Sequence, residues 1–332
     1  MMADTSGETQ LIDKGSKDKP SENPNKKKTK FDVIIIGAGP AGYTAGIYSS
    51  RARHDTLILS GILPGGQLVN TTDVENYPGF DNGIMGPDLM NIFRKQTERM
   101  GTTIIDDEVV NVDFKHKPFK VLTASEEYEA NAVIICTGAN PRKLGLEGEK
   151  TYAGKGVSYC ATCDGPFFRN QELVVAGGGD SAIEEATFLT KFASTIHLVH
   201  RRDKLRASKI MQERAFANKK IKFYWNKTVE EIIGNGKVQK VILKDTKNEE
   251  KTTLEVGGIF VAIGHEPNTK LFTNQIELDS QGYVVVKENT KTSVDGVFAA
   301  GDVHDHRYRQ AITAAGLGCM AAIDVDKYLA EI

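Results

Sequence analysis

The chain has no apolar run of roughly 18 residues or more, so no segment reads as a membrane-spanning helix. Only four of its 332 residues are cysteine, too few to staple a disulfide-dense secreted scaffold, so a reducing compartment, the cytoplasm, is expected. Neither sign of charge dominates: 42 Lys and Arg against 44 Asp and Glu leave −2, which argues against nucleic acid as a partner in bulk. Residues 1–30 have almost no large apolar side chains and no Arg. That stretch lacks the apolar core of a signal peptide and carries acids that a mitochondrial presequence avoids. A disordered polar tail is expected there, because such a segment buries too little surface to offset its chain entropy.

What the chain does have is organised around Tyr159-Cys160-Ala161-Thr162-Cys163-Asp164-Gly165. Two cysteines three apart can close a small disulfide ring, and an acid follows directly. Upstream lies Gly37-Ala38-Gly39-Pro40-Ala41-Gly42 and downstream Gly177-Gly178-Gly179-Asp180-Ser181-Ala182. Each ends an apolar, β-branched run and opens a helix-like one, the layout of a dinucleotide-binding turn. In the first, Gly37 makes the tight turn, Gly39 lets the backbone approach a pyrophosphate, and Gly42 lets the helix pack on the strand. A dithiol between two such turns suggests electrons passing from one nucleotide to another and then to sulfur.

The strands that follow the two turns end differently. Asp55 to Leu59 runs into Ser60, where an acid usually holds the adenosine ribose. Thr195 to Val199 runs into His200-Arg201-Arg202-Asp203-Lys204-Leu205-Arg206. Arginines at that place accommodate a 2′-phosphate with planar, bidentate contacts, so the second nucleotide is expected to be NADPH rather than NADH. A solvated basic turn is the plain alternative.

Further strands are expected at Ala132 to Gly138 and Gly258 to Gly264, each ending in Gly with Pro141 or Pro267 shortly after. They mark two crossings between the same two domains. Small meanders are expected over Ile104-Ile105, Val109 to Val112 and Phe119 to Leu122, and again over Ile221 to Trp225, Thr228 to Ile233 and Val238 to Leu243. The C-terminal third returns through Gly296 to Val303, with Asp302 placed to meet a cofactor hydroxyl, and closes in a Gly/Ala-rich helix to about Leu329. The expected fold is therefore α/β, with two Rossmann-like domains, the second inserted in the first. The expected ranges are 31–140 and 267–332 for the first domain and 141–266 for the second. Zinc is the rival use of the cysteine pair, but a structural zinc site wants four ligands, and Cys136 and Cys319 stand singly in apolar segments. No metal is expected.

Over about residues 31–330 the chain resembles low-molecular-weight thioredoxin reductase of the bacterial, fungal and plant type. The resemblance rests on Gly65-Gly66-Gln67-Leu68, Glu75-Asn76-Tyr77-Pro78-Gly79, Cys160-Ala161-Thr162-Cys163-Asp164, Gly177 to Ser181, His200 to Arg206, Gly301-Asp302 and Arg309-Gln310-Ala311. It implies a homodimer that uses FAD and NADPH to reduce the disulfide of thioredoxin. By it, Cys160 attacks thioredoxin, Cys163 stands beside the flavin, and Asp164 handles their protons. It also implies FAD contacts at Gly37, Gly39, Pro40, Ala41, Ser60, Ile62, Gln67, Leu68, Asn76, Val109, Gly301, Asp302, Arg309, Gln310 and Ala311. NADPH contacts would fall on Gly177, Gly179, Asp180, Ser181, His200, Arg201, Arg202 and Arg206. Reduction of another small dithiol protein, or an NADPH sensor without turnover, are the alternatives.

Since donor nucleotide and dithiol share one domain and the flavin lies in the other, that domain must turn between two orientations about the crossings near Asn140-Pro141 and Glu266-Pro267.

Overall fold

The structure, a computed structural model, describes residues 28–71 and 73–332. The polar tail expected over 1–30 lies outside them apart from its last three residues, and Lys30 already belongs to the first strand.

Two sheets carry the chain. The first has the order Thr103–Ile105, Thr56–Leu59, Lys30–Ile36, Glu127–Ile135, Phe119–Thr123, Val109–Asp113, with Val297–Ala299 also paired to Glu127–Ile135. Lys30–Ile36 is parallel to both neighbours, which is why its apolar run is continuous rather than alternating. Glu127–Ile135 serves two purposes. Its first half pairs antiparallel with Phe119–Thr123, and its second half runs parallel to Val297–Ala299, bringing the C-terminal segment back into the sheet. The second sheet is all parallel, in the order Val157–Ser158, Gly258–Ala262, Glu172–Gly177, Thr195–His200, Ile221–Trp225.

Both expected meanders are corrected in part. Ile104 and Ile105 lie in a parallel edge strand, and the antiparallel set is Val109–Asp113, Phe119–Thr123 and Glu127–Ile135. Ile221–Trp225 likewise joins the parallel sheet, while Lys227–Asn235 and Lys237–Asp245 take Lys251–Glu255 as their third strand. Short apolar runs look alike in both settings; the partner decides, and the partner is distant in sequence.

The crossings Ala139–Pro141 and His265–Pro267 pair antiparallel as a two-stranded ribbon. A chain of side-chain amides spans them. Gln67 donates to Asn140 at 2.5 Å, Asn140 donates to Asn268 at 2.9 Å, and Asn268 donates to the Thr137 carbonyl at 2.8 Å. The C-terminal helix Ala311–Glu331 packs on the first helix, Pro40–Arg51, so closely that a Cβ at Gly318 would fall 2.1 Å from the Ala41 carbonyl oxygen.

Candidate active site

Cys160 and Cys163 are joined by a disulfide across a Cα separation of 5.3 Å. The short helix Ala161–Asp164 sets that spacing. Cys160 stands at its N-cap in extended conformation, and its Sγ accepts the Cys163 N–H at 3.2 Å. Ser158 Oγ accepts the Cys160 N–H at 3.1 Å. Asp164, half-buried, donates its N–H to the Cys160 carbonyl at 3.1 Å. Burial raises the Asp164 carboxyl above the usual range, partly offset by a hydrogen bond to Ser158.

One residue before the pair, the Tyr159 hydroxyl donates to Glu149 at 3.0 Å, and Glu149 also accepts the Leu144 and Gly145 N–H groups at 2.9 and 2.8 Å. Glu149 thus ties the segment leaving the first crossing to the dithiol. Sequence reading missed it, since an acid in a short charged stretch looks like solvated surface.

The disulfide faces the first sheet's side of the molecule. Gln310 Nε2 lies 3.9 Å from Cys160 Sγ, and Gln310 Oε1 accepts from Asn76 Nδ2 at 3.3 Å. Glu185, on the helix Asp180–Leu189, accepts the Ala161 N–H, and its Oε2 is buried without a partner. Burial pushes the Glu185 carboxyl up to about 7 against the pull of Arg309. Arg309 also bears on His265, which burial pushes down to about 4, and on Asp302, which burial pushes up to about 7. Arg309 therefore stands among ionisable groups from both units. Nothing in the sequence around Glu185 or His265 distinguishes them from ordinary helix and strand-end residues.

The first turn has the expected shape. Gly37 has φ +105°, and a Cβ there would sit 2.4 Å from the Cys136 carbonyl oxygen, whereas Gly39 has open space where a Cβ would be. Pro40 opens the helix behind it. Gly37, Ser60, Val109, Thr137, Asn140 and Pro267 line a cavity of about 510 Å³. A dinucleotide with its pyrophosphate at Gly39 and its adenosine in this cavity fits these residues. Gly301 packs on Ala41, and Leu68 packs on the core. Ile62 is 78% exposed and is not among the cavity's lining residues.

The second turn is joined to its basic loop by backbone. The Gly178 carbonyl accepts the Arg206 and Ala207 N–H groups at 2.7 and 3.2 Å, and Asp180 accepts the Ser208 N–H at 2.8 Å. Leu205 is buried and anchors the loop, leaving Arg201, Arg202 and Arg206 exposed around the open position at Gly179. His200 behaves otherwise. Its ring is buried where a Cβ on Gly178 would be, 2.2 Å from Nδ1, and its Nε2–H donates to the Lys204 carbonyl at 3.0 Å. It shapes the loop from beneath. The free cysteines take no part: Cys136 is buried, with its thiol pushed up by desolvation, and Cys319 is half-buried in the C-terminal helix. Among the described residues no cluster of His, Cys, Asp and Glu could hold a metal ion.

Two dinucleotide turns on parallel sheets, with a disulfide next to the second, define a nucleotide-dependent dithiol oxidoreductase. The pyridine nucleotide-disulphide oxidoreductase family matches residues 31–318. A thioredoxin reductase from Streptomyces clavuligerus is 55% identical over 305 residues, covering 91% of this chain and 94% of that one. Among solved structures, thioredoxin reductase from Giardia duodenalis is 44% identical with a TM-score of 0.88, over 91% of this chain and 100% of that one. Thioredoxin reductase from Lactococcus lactis, in a form described as the FR conformation, is 43% identical over the same shares, yet has a TM-score of 0.62. The chain belongs to the pyridine nucleotide-disulphide oxidoreductases, in their thioredoxin reductase branch. Flavin and pyridine nucleotide are the cofactors of that family.

Proposed function

We propose that this protein is the NADPH-dependent enzyme that reduces the disulfide of thioredoxin, with FAD at the first turn and NADPH at the second. The observation that carries this reading is the Cys160–Cys163 disulfide held next to Gln310, which is itself bonded to Asn76 of the flavin-side loop. Bound flavin would accept hydride from NADPH and hand the electron pair to the disulfide.

The protein's own residues do the rest. Arg201, Arg202 and Arg206 would grip the 2′-phosphate of NADPH. Once the pair is reduced, the Cys160 thiolate attacks a thioredoxin sulfur and displaces the other as a thiolate. Asp164, whose carboxyl burial raises above the usual range, gives its proton to that leaving sulfur. Cys163 then attacks Cys160, releasing the second thioredoxin sulfur and restoring the ring. Two electrons enter the thioredoxin disulfide and two leave the Cys160–Cys163 dithiol.

The ranges 31–140 and 267–332 form the flavin unit in this reading, and 141–266 the NADPH unit. The second turns against the first about the ribbon of Ala139–Pro141 and His265–Pro267. The Giardia and Lactococcus structures, equally similar to this chain in sequence but not in overall shape, support two such arrangements. A homodimer is supported by exposed Tyr48, Ile312, Met320 and Ile323 on the first and last helices. No described helix is long and apolar enough to cross a membrane, and we place the enzyme in the cytoplasm.

The direct test follows NADPH loss by its nicotinamide absorbance with purified protein and oxidised thioredoxin. Turnover with thioredoxin and little with glutathione disulfide is expected; flavin reduction without any thioredoxin turnover would favour the sensor alternative.

A further inference from the structure

The strand Thr56–Leu59 ends in Ser60, where a dinucleotide turn ordinarily carries an acid for the ribose. Ser60 is 6% exposed and lines the cavity together with Gly37 and Val109. Its hydroxyl has one proton and three oxygens in reach: Asp106 Oδ1 at 2.7 Å, the Gly61 carbonyl at 3.2 Å and the Ile105 carbonyl at 3.4 Å. The carboxylate is the nearest and the charged one, so the proton goes to it. Asp106 stays ionised because Arg94 Nη1 donates to the same Oδ1 at 2.8 Å, and that guanidinium holds its carboxyl below the usual range, with Ser60 adding to the effect. Arg94 is held in turn by Glu98, one helical turn on, at 3.0 Å. With its proton committed, Ser60 Oγ can only accept from whatever occupies the cavity.

We infer that Asp106 acts through Ser60 as the ribose-recognising acid of the first nucleotide site. The carboxylate missing from the end of its own strand is supplied by the neighbouring one. Thr103–Ile105 runs parallel to Thr56–Leu59 with Ile105 opposite Leu59, so the residues that follow, Asp106 and Ser60, come side by side. A hydroxyl whose proton is drawn to a carboxylate is a stronger acceptor than a free one, because successive hydrogen bonds polarise each other. Ser60 makes the contact and Asp106 is a positioning residue that gives it an acid's character. The inference rests on FAD being the nucleotide of this site.

Apoprotein is titrated with FAD and with FAD analogues lacking either the 2′- or the 3′-hydroxyl of the adenosine ribose, and binding is read from flavin fluorescence. Wild type is expected to bind FAD about tenfold more tightly than one of the analogues, the effect of one good hydrogen bond. Asp106→Ala and Ser60→Ala should each lose that preference, and the double variant should bind no worse than either alone. Because the preference is a ratio taken within each variant, general loosening of the fold would leave it standing. A tenfold preference retained in Asp106→Ala, or fully additive losses, would overturn the inference while FAD binding itself stood. Wild-type apoprotein that took up no FAD would overturn the flavin reading and this inference with it.

Discussion

Gly37 and Gly177 both stand where a buried parallel strand meets a helix, and a Cβ at either would come 2.4 Å from a carbonyl oxygen, that of Cys136 in one and of Ala262 in the other. Two residues later Gly39 and Gly179 both face open space. The turns are therefore alike in what the backbone must do, and the likeness is enforced by packing. At the following strand ends they part. Ser60 is buried and bonded to an ionised acid, whereas Arg201, Arg202 and Arg206 are exposed around a loop pinned to Gly178. Under the proposed function, the difference teaches that the glycine turn would accept a pyrophosphate of either nucleotide and that the strand end would decide which nucleotide comes. It also matters that the dithiol sits in the unit with the exposed arginines. In the proposed reading that unit carries both the donor's site and the acceptor's chemistry, and is therefore the one proposed to turn.

The largest expected effect breaks the chemistry of the second unit while leaving both turns intact. Cys160→Ser should abolish thioredoxin reduction yet keep FAD binding and flavin bleaching by NADPH, whereas Cys163→Ser should trap thioredoxin on Cys160 as a mixed disulfide. Non-reducing electrophoresis and stopped-flow absorbance report the two outcomes. Normal turnover in Cys160→Ser would show that the roles are wrongly assigned.

Next in size is the proton donor beside the pair. Loss of a general acid costs about 10²- to 10⁴-fold, so Asp164→Asn should slow the dithiol steps by about that much while NADPH-to-flavin transfer stays as it was. Because burial raises this carboxyl, its proton is present at low pH and lost as pH rises through the raised value. The wild-type rate should fall along that limb, and the limb should vanish in the variant. An unchanged pH profile would remove Asp164 from the role.

The comparison of strand ends is sharpened by Arg201→Ala combined with Arg206→Ala. Each lost charge-assisted contact costs roughly 1.5–3 kcal/mol, so the Michaelis constant for NADPH should rise at least about a hundredfold and that for NADH hardly at all. Equal losses with both nucleotides would mean that the arginines serve only as a solvated turn.

The smallest effect is on stability. Glu185 is raised from the usual glutamate range to about 7. Between those values the folded protein holds a proton that the unfolded chain has released. The group's contribution is therefore full below about pH 4.5 and is lost as pH rises through about 7. Glu185→Gln should cancel this loss, worth up to about 3 kcal/mol, so its melting temperature relative to wild type should climb by a few degrees from pH 5 to pH 8. A constant difference across that range would show that Glu185 is ionised throughout.

Much of this was legible residue by residue. The apolar runs into Gly37 and Gly177 announce buried strands before tight turns, because a continuous β-branched stretch ending in glycine has few other uses. The cysteine spacing in Cys160-Ala161-Thr162-Cys163 suits a small ring, and the arginines after Val199 stand where the proposed function needs them to meet a 2′-phosphate. The partners escaped notice. Ile221–Trp225 reads like the neighbouring meander strands and pairs instead with Thr195–His200. Asp106, Glu149, Glu185 and Asn268 are polar residues that no local pattern distinguishes from their charged or polar neighbours, and His200, which looks like part of the basic cluster, turns inward beneath Gly178.

By itself the sequence determined the two turns, the dithiol between them and the exposed basic cluster after the second unit's strand, because each of these depends on residues a few positions apart, where backbone geometry and spacing suffice. Only the tertiary structure decided that Asp106 stands behind Ser60, that Gln310 reaches both Asn76 and Cys160, and that the two crossings lie side by side as one ribbon. Those juxtapositions depend on strand register and on packing between segments far apart in the chain, and no local run of residues encodes them.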